Sequence, residues 1–220
     1  TCRIQRSPCR VSFHDPSGRL LAADAEGLGW GEPVDGDRPV LCRQRLLPGS
    51  HFYGLGEKAF SMERRGRRFE LYSTDPACYQ LYDDPINQSV PFFLGLVSVE
   101  STGSDGRRGG ATAAFGLLFD NPARSFFDFG HTDGDMLSFA AEAGELRYYV
   151  MAAPRLVDVL ETYTELTGHM AMPPLWALGY HQARWSYPDE AAVRDLASQF
   201  RRRRIPCDAV YLDIDYMDGY

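Results

Sequence analysis

The first 150 residues consist of short apolar stretches separated by connections that contain Gly, Asp and Ser, a pattern typical of β structure. One connection, Asp15-Pro16-Ser17-Gly18, has Pro second and Gly fourth, as a type I turn prefers. Short strands at this spacing predict an antiparallel β-sandwich. The predicted strands cover residues 9–13, 19–23, 69–73, 92–99, 112–119, 125–129, 136–140 and 146–151, with a loop tip at 101–110.

The hydrophobic period changes at Pro154. Apolar residues then recur at helical spacing from residue 156 to residue 166, and Gly168 ends the pattern. A helix cannot run through the following Met172-Pro173-Pro174. We therefore predict an α+β multidomain chain, with a sandwich domain and linker helix at 1–168 and a second domain at 169–220.

The second domain follows the order strand, helix, strand. The strands are predicted at 175–180 and 209–212, the latter of the type buried on both faces. Pro188-Asp189-Glu190 opens the helix between them, and arginines 201–204 form its last turn. Such a βαβ unit has parallel strands and is expected to be the first unit of a truncated (β/α)8 barrel, which takes about 250 residues when complete.

Composition narrows the classes of function. With 44% hydrophobic and 13% aromatic residues the chain can form a core, and its net charge of −7 argues against a nucleic-acid surface. No apolar run is long enough to span a membrane. The five scattered cysteines favour reduced thiols and a cytosolic setting. Because the chain starts without methionine, we expect both ends to be cuts in a longer protein.

Polar clusters follow both predicted barrel strands, where parallel α/β folds bind ligands. The first cluster is His181-Gln182-Ala183-Arg184-Trp185, and the second contains Asp213 and Asp215. On one strand these two acids would share a face, with Cα atoms about 6.6 Å apart. They could be a glycosidase carboxylate pair, a metal and phosphate site, or a substrate-binding Asp beside a structural one.

Five motifs carry a resemblance to a known family. They are FYGLGE at 52–57, YSTD at 72–75, SVPFF at 89–93, PPLWALGYHQ at 173–182, and IPCD at 205–208 leading to DIDYM at 213–217. In this order they resemble glycoside hydrolase family 31, the α-glucosidase family. The resemblance implies a galactose-mutarotase-like sandwich followed by a (β/α)8 catalytic barrel.

The resemblance also implies roles for individual residues. Asp213 and Asp75 match family positions that bind the non-reducing sugar, and Asp75 would reach over the barrel mouth from the sandwich. His181, Arg184, Trp185 and Asp215 are expected to support that site without touching the sugar. Residues 53–56 resemble a buried turn. No cofactor or metal is implied, and the nucleophile and acid/base are expected beyond residue 220.

The expected function is hydrolysis of terminal α-linked glucose from oligosaccharides, with no nucleic acid or membrane as partner. An α-xylosidase of the same family and a non-catalytic carbohydrate-binding module are the alternatives. Pro76 and Ala77 follow Asp75 where some family members carry hydroxyl residues, so chain-length preference cannot be transferred from those members.

Overall fold

The computed structural model describes residues 1–32, 38–102 and 108–218. The chain divides into two compact units, Thr1–Gly168 and His169–Tyr220. Eleven strands are described in the first unit. They are β1 (Cys2–Arg6), β2 (Cys9–His14), β3 (Leu20–Trp30), β4 (Val40–Arg45), β5 (Ser50–Gly56), β6 (Arg68–Leu71), β7 (Ser89–Thr102), β8 (Arg108–Phe119), β9 (Ser125–Phe129), β10 (Met136–Ala141) and β11 (Tyr148–Ala153).

These strands form two antiparallel sheets, which confirms the predicted sandwich. The larger sheet has the order β1-β2-β3-β4-β10-β9-β6, and the smaller sheet has the order β11-β8-β7-β5. The Asp15 turn joins β2 to β3 with a hydrogen bond from Gly18 N to Asp15 O of 3.0 Å. Residues 103–107 of the predicted loop tip lie outside the described residues, and β7 and β8 extend into its flanks.

The core lies between the inner faces of the two sheets and consists largely of phenylalanine. Phe93 of the smaller sheet meets Phe129 of the larger one with ring centroids 5.2 Å apart, and Phe119 meets Phe139 at the same distance. All four rings are fully buried. Each contributes about 1.5–3 kcal/mol by leaving water, so this interface is a large source of stability for the unit.

A helix covers the outer face of the smaller sheet. Helix α1 (Leu156–Thr167) contains the residues with helical spacing, begins two residues after Pro154, which was predicted as its first residue, and is followed by Gly168. Val159 is buried against this sheet, and Tyr163 stacks on Phe92 with a centroid distance of 4.1 Å. The helix therefore packs on the sandwich and belongs to the first unit.

Three strands were not predicted, namely β1, β4 and β5. The prediction of a turn at residues 53–56 is wrong, because these residues complete β5 and pair with β7. The pairing shifts between Gly54 and Gly56, and Gly54, Leu55 and Gly56 all have positive φ. The motif is thus an irregular strand end with Leu55 buried in the core.

The second unit contains the predicted parallel βαβ arrangement. Strands β12 (His181–Ala183) and β13 (Ala209–Tyr211) pair in parallel, with helix α2 (Glu190–Arg203) between them in the chain. The last turn of α2 carries three of the four arginines predicted there, and Arg204 is the residue that follows the helix. Two 3₁₀ helices, Leu175–Leu178 and Ile214–Tyr216, precede β12 and follow β13.

Two strand predictions in this unit are wrong in position. Residues 175–178 form a 3₁₀ turn in which Ala177 N donates to Pro174 O at 2.9 Å, so the first strand begins only at His181. An apolar run this short does not distinguish strand from helix by itself. The second strand ends at Tyr211, and its residues are half-buried or exposed rather than buried on both faces.

Candidate functional site

The parallel pairing of β12 and β13 brings two polar clusters to one edge. His181 pairs with Ala209 and Ala183 pairs with Tyr211, so both strands end at the same level. Arg184 and Trp185 follow the first strand, and Asp213 follows the second after one intervening residue. This edge is where parallel α/β folds bind their ligands.

Asp213 and Asp215 do not lie on a strand, which corrects the predicted shared face and spacing. The strand ends before them because the chain turns into the 3₁₀ helix Ile214–Tyr216. Asp213 precedes this helix and accepts a hydrogen bond from Ile214 N at 2.7 Å. Asp215 lies within the helix, so the two carboxylates leave the backbone in different local conformations.

Asp215 is tied to the other strand end. The indole Nε1 of Trp185 donates to Asp215 Oδ2 at 2.8 Å, and this bond links the segments after β12 and β13. The Trp185 side chain remains 73% exposed. The supporting role expected of both residues stays a prediction, and this hydrogen bond is the contact through which each fixes the side chain of the other.

A cavity of about 360 Å³ opens beside this bridge. One side of the cavity follows β13 and consists of Leu212, Asp213, Asp215 and Tyr216. The opposite side is the connection from β12 together with the start of α2. The second group of lining residues is Ser186, Tyr187, Pro188, Asp189, Glu190 and Val193. The cavity has both acids and aromatic rings, which is a lining suited to a polyhydroxylated ligand.

His181 is at the start of β12 rather than at its end, which corrects its predicted place. Its ring lies between Trp176 and Tyr211, with centroid distances of 6.0 and 5.5 Å. Nε2 is 3.2 Å from Trp176 O, and Nδ1 is 3.2 Å from the Tyr211 hydroxyl. Because a carbonyl only accepts, Nε2 carries the hydrogen and Nδ1 accepts from Tyr211. His181 therefore holds the strand pair together.

Arg184 stacks on Tyr187, with the guanidinium carbon 5.8 Å from the ring centroid. The Tyr187 hydroxyl accepts from Gln182 Nε2 at 3.3 Å, and Gln182 Oε1 accepts from the Tyr180 hydroxyl at 2.6 Å. Tyr187 was missed at the sequence level, and Gln182 was named in the first polar cluster but given no role. Their positions carried a signal, because Gln182 lies between His181 and Arg184 and Tyr187 immediately precedes Pro188, which opens the predicted helix.

Asp75 belongs to the first unit and lies in the connection between β6 and β7. Its side chain is exposed, and Asn87 Nδ2 donates to Asp75 Oδ1 at 3.4 Å. Its contact with a sugar stays a prediction. The same connection is held by Lys58, a buried residue for which the sequence predicted no role, although it is the one lysine in the chain and follows the FYGLGE motif.

Neither a metal site nor a membrane helix is found in the parts of the chain that the structure describes. No group of three or more His, Cys, Asp and Glu side chains there could hold a metal ion. None of the helices there is both long enough and apolar enough to cross a bilayer. All five cysteines are free.

The comparison with known proteins defines the class. Residues 1–128 match the glycosyl hydrolase 31 N-terminal galactose mutarotase-like domain, and residues 170–220 match the glycosyl hydrolases family 31 TIM-barrel domain. The fold and its two matched domains are thus those of a glycoside hydrolase. The chain belongs to glycoside hydrolase family 31.

Individual relatives agree with this assignment. Alpha-glucosidase 2 of Bacillus thermoamyloliquefaciens is 42% identical over 221 residues, which is all of this chain and 26% of the relative. Alpha-xylosidase 1 of Arabidopsis thaliana is 31% identical over 76% of this chain and 17% of its own length. A Flavobacterium johnsoniae family 31 dextranase, solved with isomaltotriose, has a TM-score of 0.84 and 32% identity, covering 99% of this chain and 24% of that one. This chain thus spans about a quarter of these relatives or less.

Proposed function

We propose that this chain is the N-terminal part of a retaining α-glucosidase that removes terminal α-linked glucose from the non-reducing end of oligosaccharides. The observation that carries the proposal is the 42% identity with the Bacillus α-glucosidase along the whole chain. The isomaltotriose bound to the structurally similar dextranase supports an α-linked glucose oligosaccharide as the substrate class.

In the proposed site Asp213 and Asp75 bind the sugar hydroxyls. A carboxylate suits this role because it accepts strong hydrogen bonds from two adjacent hydroxyl groups. The position of Asp213 on the wall of the 360 Å³ cavity, next to aromatic rings, supports its part in the proposal. Asp215, Trp185 and Arg184 support the segments that follow the two strands, and His181 links the strands themselves, through the contacts described above.

The proposed reaction proceeds with retention. A carboxylate nucleophile forms a glycosyl-enzyme intermediate, and a carboxylic acid first protonates the leaving oxygen and then activates water. We place both groups in the part of the relatives that has no counterpart in this chain. The reaction needs no metal and no cofactor, since proton transfer and the covalent intermediate supply the chemistry.

The test uses the complete protein that contains this chain, with an aryl α-glucoside as substrate and excess chelator present. We expect release of the phenol and a glucose product of unchanged anomeric configuration. Asp213→Ala should lower kcat/KM about 100-fold, which corresponds to about 3 kcal/mol of contacts that tighten in the transition state. Asp195→Ala is the matched control, because this exposed acid on α2 pairs only with surface residues.

The outcomes separate the alternatives. Full activity of Asp213→Ala would mean that the sugar binds elsewhere. Preference for an aryl α-xyloside would favour the α-xylosidase alternative, which the Arabidopsis relative supports. Saturable binding of isomaltotriose without turnover of any glycoside would favour a non-catalytic carbohydrate-binding protein. Loss of activity with chelator would contradict the metal-free mechanism.

A further inference from the structure

A buried ion pair holds the segment that connects β6 to β7. We call residues 72–88 the Asp75 segment. The Lys58 side chain has no exposed surface, and that of its partner Asp84 is 11% exposed. Lys58 Nζ donates to Asp84 Oδ1 and to the carbonyl oxygen of Glu70, the latter at 2.5 Å. Two of the three ammonium hydrogens are therefore used to join this segment to β6.

The carboxylate of Asp84 is held at both oxygens. While Oδ1 accepts from Lys58, Oδ2 accepts from Glu70 N at 2.5 Å. Burial lowers the pKa of Lys58, and the hydrogen bond and charge of Asp84 oppose that shift. A charge in such surroundings is tolerated only when a partner compensates for lost hydration. Each ion thus keeps the other in place.

A short chain of contacts leads from this pair to Asp75. Asp84 is followed by Pro85 and Ile86, whose carbonyl oxygens accept from Thr74 Oγ1 at 3.1 Å and from Thr74 N at 3.3 Å. The Ile86 side chain is buried. Thr74 directly precedes Asp75 in the chain, so the backbone of Asp75 is set by the same residues that follow Asp84.

The middle of the segment is held by separate contacts, which include the Arg67 guanidinium over the Tyr82 ring at 5.1 Å. Tyr82 N donates to Ala59 O at 2.8 Å, and the Tyr82 ring lies 5.3 Å from the ring of Phe60. These contacts act near the middle of the segment. The stretch that carries Asp75 instead runs alongside residues 85–87, so it depends on where Asp84 is fixed.

We propose that Lys58 is a positioning residue that, through its buried pair with Asp84, fixes the Asp75 segment and presents the Asp75 carboxylate for sugar binding. The presentation of Asp75 to a sugar rests on the proposed function, whereas the fixing of the segment by Lys58 does not. Lysine suits the position because a compact ammonium can donate to a carboxylate and a carbonyl at once. Arginine, used at every other basic Lys or Arg position of this chain, is planar and bulkier.

The test needs a variant that removes the pair without leaving a buried charge alone. Lys58→Met/Asp84→Asn does this, because methionine keeps the length of the lysine stem and asparagine can still accept from Glu70 N. Val40→Ala is the control for general loss of stability, since Val40 is a core residue of β4 in the larger sheet. Circular dichroism first verifies that each full-chain variant is folded.

The first measurement is hydrogen exchange of the full chain by mass spectrometry. In the double variant, peptides containing Thr74 and Ile86 should exchange at least tenfold faster, while the β9 amides keep their rates. Val40→Ala should not accelerate exchange of this segment selectively. Unchanged rates in the Asp75 segment of the folded double variant would overturn the proposal, whether or not the complete protein is a glycosidase.

The second measurement is a kinetic cycle in the complete protein on an aryl α-glucoside. We expect the double variant to lower kcat/KM tenfold or more, mainly through KM, because a displaced Asp75 weakens binding of the sugar. When Asp75→Ala is already present, the same double substitution should lower kcat/KM less than twofold. If the double substitution instead lowers kcat/KM by the same factor with and without Asp75→Ala, Lys58 does not act through Asp75.

The two measurements separate the two proposals. If the unaltered complete protein cleaves no glycoside, the proposed function fails, and hydrogen exchange alone decides whether Lys58 fixes the segment. If the protein is active and the exchange result is positive, the cycle decides whether the fixed segment presents Asp75 to the sugar.

Discussion

Replacement of Gly56 by alanine tests the irregular end of β5, where the FYGLGE motif lies. Gly56 has a φ of +76°, a conformation that alanine adopts only at a cost of about 1–2 kcal/mol. A Cβ atom there would lie 2.7 Å from Gln88 O and 2.9 Å from Val90 N. Both are backbone atoms at the start of the neighbouring strand β7, so neither can move aside as a flexible side chain would.

Gly18 provides a matched control for the backbone conformation. Its φ is +84°, yet a Cβ atom would meet nothing within 4 Å. Gly18→Ala should therefore show only the conformational cost, partly offset by the lower entropy of the unfolded chain, for a net loss of about 1 kcal/mol. Gly56→Ala should lose a further 1–3 kcal/mol or so, because overpacking in a fixed environment costs about that much.

Equilibrium unfolding in urea, followed by far-ultraviolet circular dichroism, measures the difference. With a slope of about 2 kcal/mol per molar urea, the midpoint of Gly56→Ala should lie about 0.5–1.5 M below that of Gly18→Ala. The comparison holds only when the two variants have the same dependence of the unfolding free energy on urea concentration. Equal midpoints would show that β5 and β7 do not approach as closely at Gly56 as described, and would refute the packing explanation of the motif.

Two further predictions concern single hydrogen-bonding carboxylates. Burial by itself would raise the pKa of Glu63, but hydrogen bonds from Phe52 N and Arg65 N contribute to a net lowering from its ordinary value of 4.5. The stabilisation is complete above that value and is lost as the pH falls through the lower folded-state pKa. In thermal unfolding experiments, the free energy of unfolding of the unaltered chain should therefore fall more between pH 5 and pH 3 than that of the Glu63→Gln variant. Equal decreases in the two proteins would contradict this explanation. Asp189 accepts from Ala192 N at 2.8 Å at the start of α2. Asp189→Ala should cost about 1 kcal/mol of helix stability by thermal denaturation, whereas Asp189→Asn should cost little.

The sandwich could be predicted because most of its strands have a regular side-chain pattern. The bounds of β9 agree with the prediction, and β10 alternates between buried and half-buried positions along its length. Strand β1 was missed because all of its side chains are exposed, so no apolar face marks it. Strand β4 was missed because its buried side includes Gln44, a polar residue that interrupts the apolar pattern.

The second unit shows why local patterns position elements imprecisely. The apolar stretch at 175–178 has the composition of a buried strand, but hydrogen bonds to Pro174 and Trp176 fold it into a 3₁₀ turn. Pairing between β12 and β13 determines where the strands begin, and that pairing joins residues nearly 30 positions apart. The roles expected of Asp213 and Asp75 came from the family resemblance and not from spacing.

The Lys58–Asp84 pair marks the limit of inference from sequence alone. Its members are 26 positions apart, and Asp84 is one of 30 acidic residues in the chain. Nothing in the local pattern distinguishes it from the adjacent Asp83, which accepts from Gln80 N within an exposed turn. Only the tertiary packing of the segment, with Ile86 buried and Asp84 bonded to β6, determines which carboxylate lies beside the ammonium. Burial then makes the charges depend on each other, so the energetic importance of Lys58 follows from the tertiary fold.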